Sequence, residues 1–347
     1  MNFASDNTAP VASEILTALG AANEGPAPAY GSDDFTTRLS GQLAEVFERP
    51  CHFALVSTGS AANGIALSLA SPPYGQVLCH EASHIILEEG GAPEFYTGGA
   101  KLAGLPGAQG KLTIEGLQGA IDAHPPLPPH VMPRSVLSLT QATELGTVYT
   151  KEEIATLTAW ARSQKLKVHM DGARFANAVV STGASAAELS WKGGVDLLSF
   201  GATKNGALAA ELLLVFDDDL AEGLAPRQKR AGHLWSKQRY LAAQMLAYLE
   251  DDLWLRLAAH ANAQARRLSE ALATLPGVSL EAPTEANEVF VHLPLPIQKA
   301  LRQAGATFYP WHAPGLAPSE TRVRLVTHHA TAPEEVEAFL AFAQKSV

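Results

Sequence analysis

Two short blocks of this chain have residue types at a spacing that could do chemistry. One reads VHMDGARF around Asp171; the other, 33 residues further on, reads SFGATKNG around Lys204. Each begins as an apolar, strand-like run and ends in a functional side chain among small residues. A lysine in such a place can hold an aldehyde as a Schiff base. An aspartate can sit under a pyridine ring nitrogen and keep it protonated. The pair suits pyridoxal 5'-phosphate, whose ring draws in the electrons of a bond broken at a substrate Cα. Alanine, threonine, asparagine and glycine around Lys204 leave room for the ring.

Other residues fall around this pair. STGSAANG (57–64) follows the apolar run HFALV and opens a helix, so the amides of Gly59, Ser60 and Ala61 lie at a helix N-terminus, where unpaired N–H groups cradle a phosphate. The same block also reads as a plain capped helix; Asp171 and Lys204 downstream favour the phosphate. It matches neither GxGxxG nor GxxxxGK[ST], which disfavours a dinucleotide or a nucleoside triphosphate. Lys204 follows VDLLSF at the carboxyl end of a strand, where open α/β sheets bind ligands. Schiff-base chemistry needs its amine neutral, which partial burial near other cations promotes. Arg174 stands three residues after Asp171, and its planar fork suits a carboxylate. Arg324 in TRVRLVTH is the candidate for a second carboxylate clamp, and Arg322 shares its strand face by period two. His84 in CHEASHIILEEGGAPEF follows another strand end, where an imidazole can stack on a ring or simply fill a core or capping position. Glu89 can orient that histidine or relay a proton, or be a surface glutamate. Ser5, Asp6 and Thr8 in FASDNT form a polar arm, and YGSDDFT (30–36) is a turn.

The elements that must position these side chains are legible in outline. From about residue 52 to 216, short apolar runs alternate with amphipathic helical runs, as in βαβ units with a mainly parallel sheet. The strand candidates are HFALVS, QVLCH, RSVLSLT, LKVHM, VDLLSF and LLLVF. KEEIATLTAWARSQ has helical apolar spacing, with Thr150 as its N-cap and Glu153 closing a capping box. HPPLPPHVMP (124–133) is a loop. After Phe216 come long helical stretches, SKQRYLAAQMLAYLEDDLW and AHANAQARRLSEALATL. A smaller α+β part follows, with strands EVFVHL, ATFYPW and TRVRLVTH and a last helix, APEEVEAFLAFAQ. The expected division is an arm (1–15), a large cofactor-binding domain (16–245) and a small C-terminal domain (246–347).

Composition narrows the partners. With 25 basic against 35 acidic side chains the formal net charge is -10, which argues against nucleic acid and anionic membranes. At 47% hydrophobic residues, 347 residues can bury a sizeable core. The two cysteines, Cys51 and Cys79, form no CxxC, so two buried reduced thiols and no metal site are expected. MNFASDNTAP lacks the regions of a signal peptide, and no run approaches the roughly 20 apolar residues of a membrane span, so a cytoplasmic enzyme is expected.

At FASDNT, YGSDDFT, STGSAAN, SHIILEEGGAPEF, HMDGARF, SFGATKNG and VRLVTH, in that order, the chain resembles the low-specificity L-threonine aldolases, phenylserine aldolase-like members included. These belong with the β-eliminating lyases in the aminotransferase-like (type I) pyridoxal phosphate fold. The resemblance implies an α/β large domain with a mainly parallel seven-stranded sheet and a small α+β C-terminal domain. It makes Lys204 the Schiff-base lysine, Asp171 the pyridinium partner and His84 the stacking histidine. Gly59 and Ser60 would hold the phosphate through their backbone. Ser5, Arg174 and Arg324 would take the substrate carboxylate. The implied reaction is retro-aldol cleavage of L-threonine, L-allo-threonine or phenylserine to glycine and an aldehyde, with β-elimination, transamination and a non-catalytic binder as alternatives. The resemblance also implies a homo-oligomer, a dimer of dimers, with phosphate contacts from a neighbouring subunit for which Lys229 or Lys237 are candidates. One departure stands out. Many members have Asn-Thr-His near the substrate hydroxyl, whereas this chain reads SLTQATELG (138–146), leaving Thr143, Glu144 or a water at that place and the catalytic base open.

Overall fold

The computed structural model describes residues 1–346. Seven strands form the large sheet: β1 (His52–Val56), β2 (Gln76–His80), β3 (Lys101–Leu105), β4 (Arg134–Thr140), β5 (Lys167–Gly172), β6 (Leu197–Gly201) and β7 (Glu211–Val215), in the order β1-β7-β6-β5-β4-β2-β3. Only β7 runs against its neighbours β1 and β6; every other pairing is parallel. The carboxyl ends of β1, β4, β5 and β6 therefore lie on one edge, with the amino end of β7 beside them. Gly201 pairs with Glu211 there.

Both faces of this sheet are covered, which is why its strands read as continuous apolar runs. Alternate residues serve alternate cores. Leu198, Phe200, Leu212 and Leu214 join Phe47, Phe175 and Tyr248 on one side. Leu197, Leu213 and Val215 join Ala61, Ala62 and Ile65 on the other. Small residues let the helix Gly59–Ala70 lie close to the helix Ala92–Thr97: a Cβ at Gly64 would stand 2.3 Å from the Tyr96 ring. Asn63, one residue earlier, reaches the end of β5 at Asp171.

A second, antiparallel sheet has the order β10-β11-β9-β8, from β8 (Ser279–Leu280), β9 (Glu288–His292), β10 (Tyr309–Pro310) and β11 (Arg322–Val326). The helices Leu253–Leu272, Leu295–Gln303 and Pro333–Gln344 pack on it around a separate core containing Phe308 and Phe339. The amino-terminal arm belongs to this core. Phe3 is buried against Phe339, its N–H donates to Thr307 O (2.9 Å) and its carbonyl accepts from Val326 N (2.9 Å), which delivers Ser5 and Asp6 to the gap between the sheets.

Several details differ from the sequence expectation. β3, KLAGL, is an additional strand, hidden in the sequence by its lysine and glycine; it is one of the two edge strands, has no fully buried residue, and needs no continuous apolar run. ATFYPW contributes only two strand residues. The long helical stretch breaks at Glu250–Asp252, where Asp251 and Asp252 have φ of 48° and 55°, separating the helices Arg239–Leu249 and Leu253–Leu272. Residue 246 lies within the first of these two helices. The helix Lys151–Ser163 carries the expected Thr150–Glu153 capping box. Cys79 is buried and Cys51 only partly so; both are free. Burial pushes the Cys51 thiol up to about 11 and that of Cys79 up to about 12, so neither is a nucleophile near neutrality. Among the described residues, no helix is long and apolar enough to cross a membrane.

Candidate active site

A cleft of about 510 Å³ opens at the carboxyl edge of the large sheet, with the second sheet and the arm closing its other side. Lys204 enters it from the single turn Thr203–Asn205, directly after β6. That turn is gripped from both sides. Behind it, Asn205 Nδ2 donates to Tyr248 Oη and to the Trp254 carbonyl, each at 2.8 Å. In front, the Glu211 carboxyl accepts the N–H groups of Ala202 (3.0 Å) and Thr203 (3.3 Å). Burial pushes the Glu211 carboxyl up to about 7, even though the Thr203 hydroxyl, these N–H groups and the Lys204 charge favour its ionised form.

Asp171, at the end of β5, is 4% exposed and satisfied on both oxygens. Oδ2 accepts from Asn63 Nδ2 (2.8 Å) and Oδ1 from Ala173 N (3.0 Å). The same Asn63 amide donates to Glu89 Oε1 (2.8 Å), which also meets His84 Nδ1 at 2.9 Å. One asparagine therefore joins the Asp171 carboxylate to the group that orients His84. Burial opposes the charged form of His84, but the hydrogen bond to Glu89 and the charge of Asp171 outweigh it and raise its pKa. His84, Glu89 and Asp171 offer ligand atoms within 4.8 Å of one another, close enough for a metal. The Asn63 amide already donates to both carboxylates, a donor set that serves hydrogen bonding.

Gly59 and Ser60, the first residues of their helix, line the cleft. Ala61 does not. Its N–H is committed to the N-cap hydroxyl of Thr58 (3.2 Å) and its side chain is in the core, so it leaves the expected phosphate cradle. Ser57, just before, is met by His233 Nδ1 at 3.3 Å. Lys229 and Lys237 are exposed and do not line this chain's cleft; Lys229 lies over the Tyr30 ring.

The arginines are more constrained than spacing suggested. Arg174 presents one edge to Asp6, Nε to Oδ2 at 2.8 Å and Nη2 to Oδ1 at 3.2 Å, leaving Nη1 toward Glu288 Oε2 (3.1 Å). Arg324 reaches Glu288 Oε1 at 3.7 Å, with its guanidinium 4.6 Å from the Trp311 ring centre. Arg322 is held by Glu281 (2.6 Å) and the Ala317 carbonyl, so of the two arginines on β11 it is Arg324 that faces the cleft. Ser5 lines the cleft and caps the turn Asp6–Thr8, its Oγ accepting from Asn7 N (3.2 Å). Thr143, expected near the substrate hydroxyl, has its own hydroxyl engaged by Thr147 Oγ1 (2.7 Å) and the Gln109 carbonyl (3.3 Å).

The family model described as beta-eliminating lyase matches residues 2–295. The chain belongs to this family. The low specificity L-threonine aldolase of Pseudomonas aeruginosa is 45% identical over 311 residues, 88% of each chain. The corresponding protein of Saccharomyces cerevisiae is 27% identical over 296 residues, 82% of this chain and 72% of that one. Among solved structures, Leishmania major threonine aldolase is 27% identical and superposes with a TM-score of 0.92 over 99% of this chain and 98% of that one. The fold extends to a histidinol-phosphate aminotransferase of Clostridium acetobutylicum, at 14% identity, a TM-score of 0.74 and coverage of 99% and 98%.

In this beta-eliminating lyase family member the cleft is also lined by residues that spacing did not single out: Asn63, Glu211, Glu288, Trp311 and His312. A signal for the two glutamates exists. Each heads a run of three or four apolar strand residues, in ELLLV and EVFVH, and a charge buried at a strand end needs partners that a site provides. Asn63 lies one helical turn after Gly59, so it faces the same way as the start of the helix.

Proposed function

We propose that this protein binds pyridoxal 5'-phosphate and cleaves L-threonine to glycine and acetaldehyde, accepting L-allo-threonine and phenylserine as further β-hydroxy-α-amino acids. One observation carries the reading: Lys204, Asp171 and His84, from three separate strand ends, meet in one cleft opposite two arginines. The residues fit the cofactor. Gly59 and Ser60 offer N–H groups at a helix start to its phosphate. Asp171, held in place by Asn63 and the Ala173 N–H, offers a carboxylate to the ring nitrogen. His84, oriented by Glu89, offers an aromatic face, and Lys204 the amine. Once bound, the cofactor supplies an electron sink for a bond broken at the substrate Cα.

The remaining work falls to the chain. Ser5, Arg174 Nη1 and Arg324 bind the substrate carboxylate at the place where Glu288 now bridges the arginines. Holding that carboxylate limits rotation about the substrate's N–Cα bond and selects which bond is broken. Asp6 keeps Arg174 from swinging away.

The same reading takes the protein to be a cytoplasmic homo-oligomer, a dimer of dimers, with Lys229 or Lys237 contributing to a neighbour's phosphate. Exposed large apolar side chains, Tyr30, Phe95, Leu208 and Trp235, support an oligomeric surface. It divides the chain into an arm (1–15), a cofactor domain (16–245) and a small domain (246–347). Two measurements test it. Borohydride reduction with added pyridoxal phosphate is expected to leave a phosphopyridoxyl group on Lys204 by peptide mass spectrometry. Turnover of the three amino acids is expected to give glycine with the matching aldehyde; ammonia with a keto acid would move the reaction to β-elimination.

A further inference from the structure

We propose that Glu144 takes the proton from the β-hydroxyl of the substrate and is thus a catalytic residue of the cleavage, an assignment that rests on the aldolase reading above. Three features of the cleft point to it. First, the segment expected to supply this group is SLTQATELG, and its other candidate is engaged elsewhere, because the Thr143 hydroxyl is shared with Thr147 and the Gln109 carbonyl. Second, Glu144 lines the cleft in a fixed orientation. Its Oε1 accepts from His84 N (2.9 Å) and the Thr140 hydroxyl (2.8 Å). Third, Oε2 of the same carboxyl is buried and has no hydrogen-bond partner among the described residues. A buried carboxyl oxygen without a donor is costly to maintain, and a hydroxyl group on a bound substrate would supply the missing donor.

The acidity of the group agrees with this role. Burial, and after it the negative charge of Asp171 on β5, push the Glu144 carboxyl up to about 7 against the pull of Thr140 and two backbone N–H groups. A carboxyl poised near neutrality can accept the β-hydroxyl proton and, in the reverse direction, return it to the aldehyde oxygen. The other titratable groups facing it are His84 from the helix His84–Leu87, Cys79 from β2, and Tyr149. Burial raises both the thiol and the phenol, so those two stay neutral. His84 has its Nδ1 on Glu89, with its ring offered to the cofactor.

The step balances. The O–H bond of the β-hydroxyl breaks, its electron pair becomes the second C–O bond of the departing aldehyde, and the proton goes to Glu144. The Cα–Cβ pair stays with the Cα fragment. One proton is later returned to Cα, so glycine and aldehyde form with no net gain or loss.

Glu144→Gln in the holoenzyme tests this, because it keeps the size and the Oε1 contacts and removes only the base. The retro-aldol kcat on L-threonine is expected to fall about 100- to 10,000-fold. Exchange of the glycine Cα proton in D₂O, followed by NMR, involves no β-hydroxyl and is expected to keep its wild-type rate. The rising limb of the wild-type kcat–pH profile near 7 is expected to vanish in the variant. Of the two carboxyls titrating near 7 in the infrared spectrum of the apoprotein, Glu144 and Glu211, one is expected to vanish with it while the other stays, and Glu144→Asp is expected to restore part of the activity. Equal losses of cleavage and exchange would overturn the assignment in favour of a cofactor-positioning role, and undiminished cleavage would overturn it outright. If wild-type enzyme released ammonia instead of equal glycine and aldehyde, the aldolase reading itself would fail, a result distinguishable because it needs no variant.

Discussion

Asp6→Ala separates the work of Arg174 on the fold from its work on substrate. Asp6 is 1% exposed, holds the Nε–Nη2 edge of Arg174 and accepts from Asn287 Nδ2 (3.1 Å). Removing it leaves a buried guanidinium with Glu288 as its remaining ion-pair partner, and breaking one side of a buried pair costs about 3–5 kcal/mol. Burial favours protonated Asp6, but Arg174, Lys204 and Asn287 outweigh it, so the carboxyl titrates below its ordinary 3.8. The sign of the pH dependence follows. A depressed folded-state pKa gives stability that is fully present above 3.8 and is lost as the pH falls through the still lower folded value. Urea unfolding of wild type and variant is therefore expected to differ by about 3–5 kcal/mol from pH 5 to 8, with the gap narrowing only below 3.8. The released Arg174 is also expected to raise KM for L-threonine more than it lowers kcat. A gap under about 1 kcal/mol, within the range of an exposed ion pair, or a gap that widens toward acid pH, would refute the reasoning.

Other perturbations have outcomes set by the same geometry. Glu211 has a folded-state pKa of about 7 against 4.5 unfolded, so it favours folding when protonated, and its contribution declines as the pH rises from 4.5 to 7. Glu211→Gln is expected to remove a stability slope on the order of 3 kcal/mol across that interval, measured by denaturant titration at several pH values. Arg324→Ala is expected to raise KM for L-threonine with little change in unfolding, whereas Arg322→Ala, which loses the Glu281 pair, is expected to do the reverse. Gly64→Ala places a Cβ against the Tyr96 ring and is expected to cost about 1–3 kcal/mol in thermal or denaturant unfolding, and to weaken cofactor affinity by shifting Asn63.

What was legible in the sequence follows from where the information is local. HFALV, RSVLSLT and LLLVF are largely buried and show themselves as apolar runs, while KLAGL, an edge strand with no fully buried residue, does not. The capping box at Thr150 and Glu153 is a four-residue device and could be read directly. Lys204, Asp171, Arg174 and His84 follow strand ends, and the topology brings all four to one edge. Partnerships were not legible. Nothing local pairs Asp6 with Arg174 across 168 residues or Asn63 with Asp171 across 108, and it is these pairings that decide which arginine edge is free and how the aspartate is satisfied. The same applies to Thr143 and Ala61. Thr143 lines the cleft and Ala61 does not, and the Thr147 and Thr58 hydroxyls take up the very groups expected to act.

The most direct test of the central claim is a product balance: purified protein with pyridoxal phosphate and L-threonine, assayed together for glycine, acetaldehyde and ammonia, with Lys204→Ala as the blank. The account predicts glycine and acetaldehyde in equal amounts from the wild type and neither from the variant. Ammonia in place of glycine, or equal products from Lys204→Ala, would contradict it.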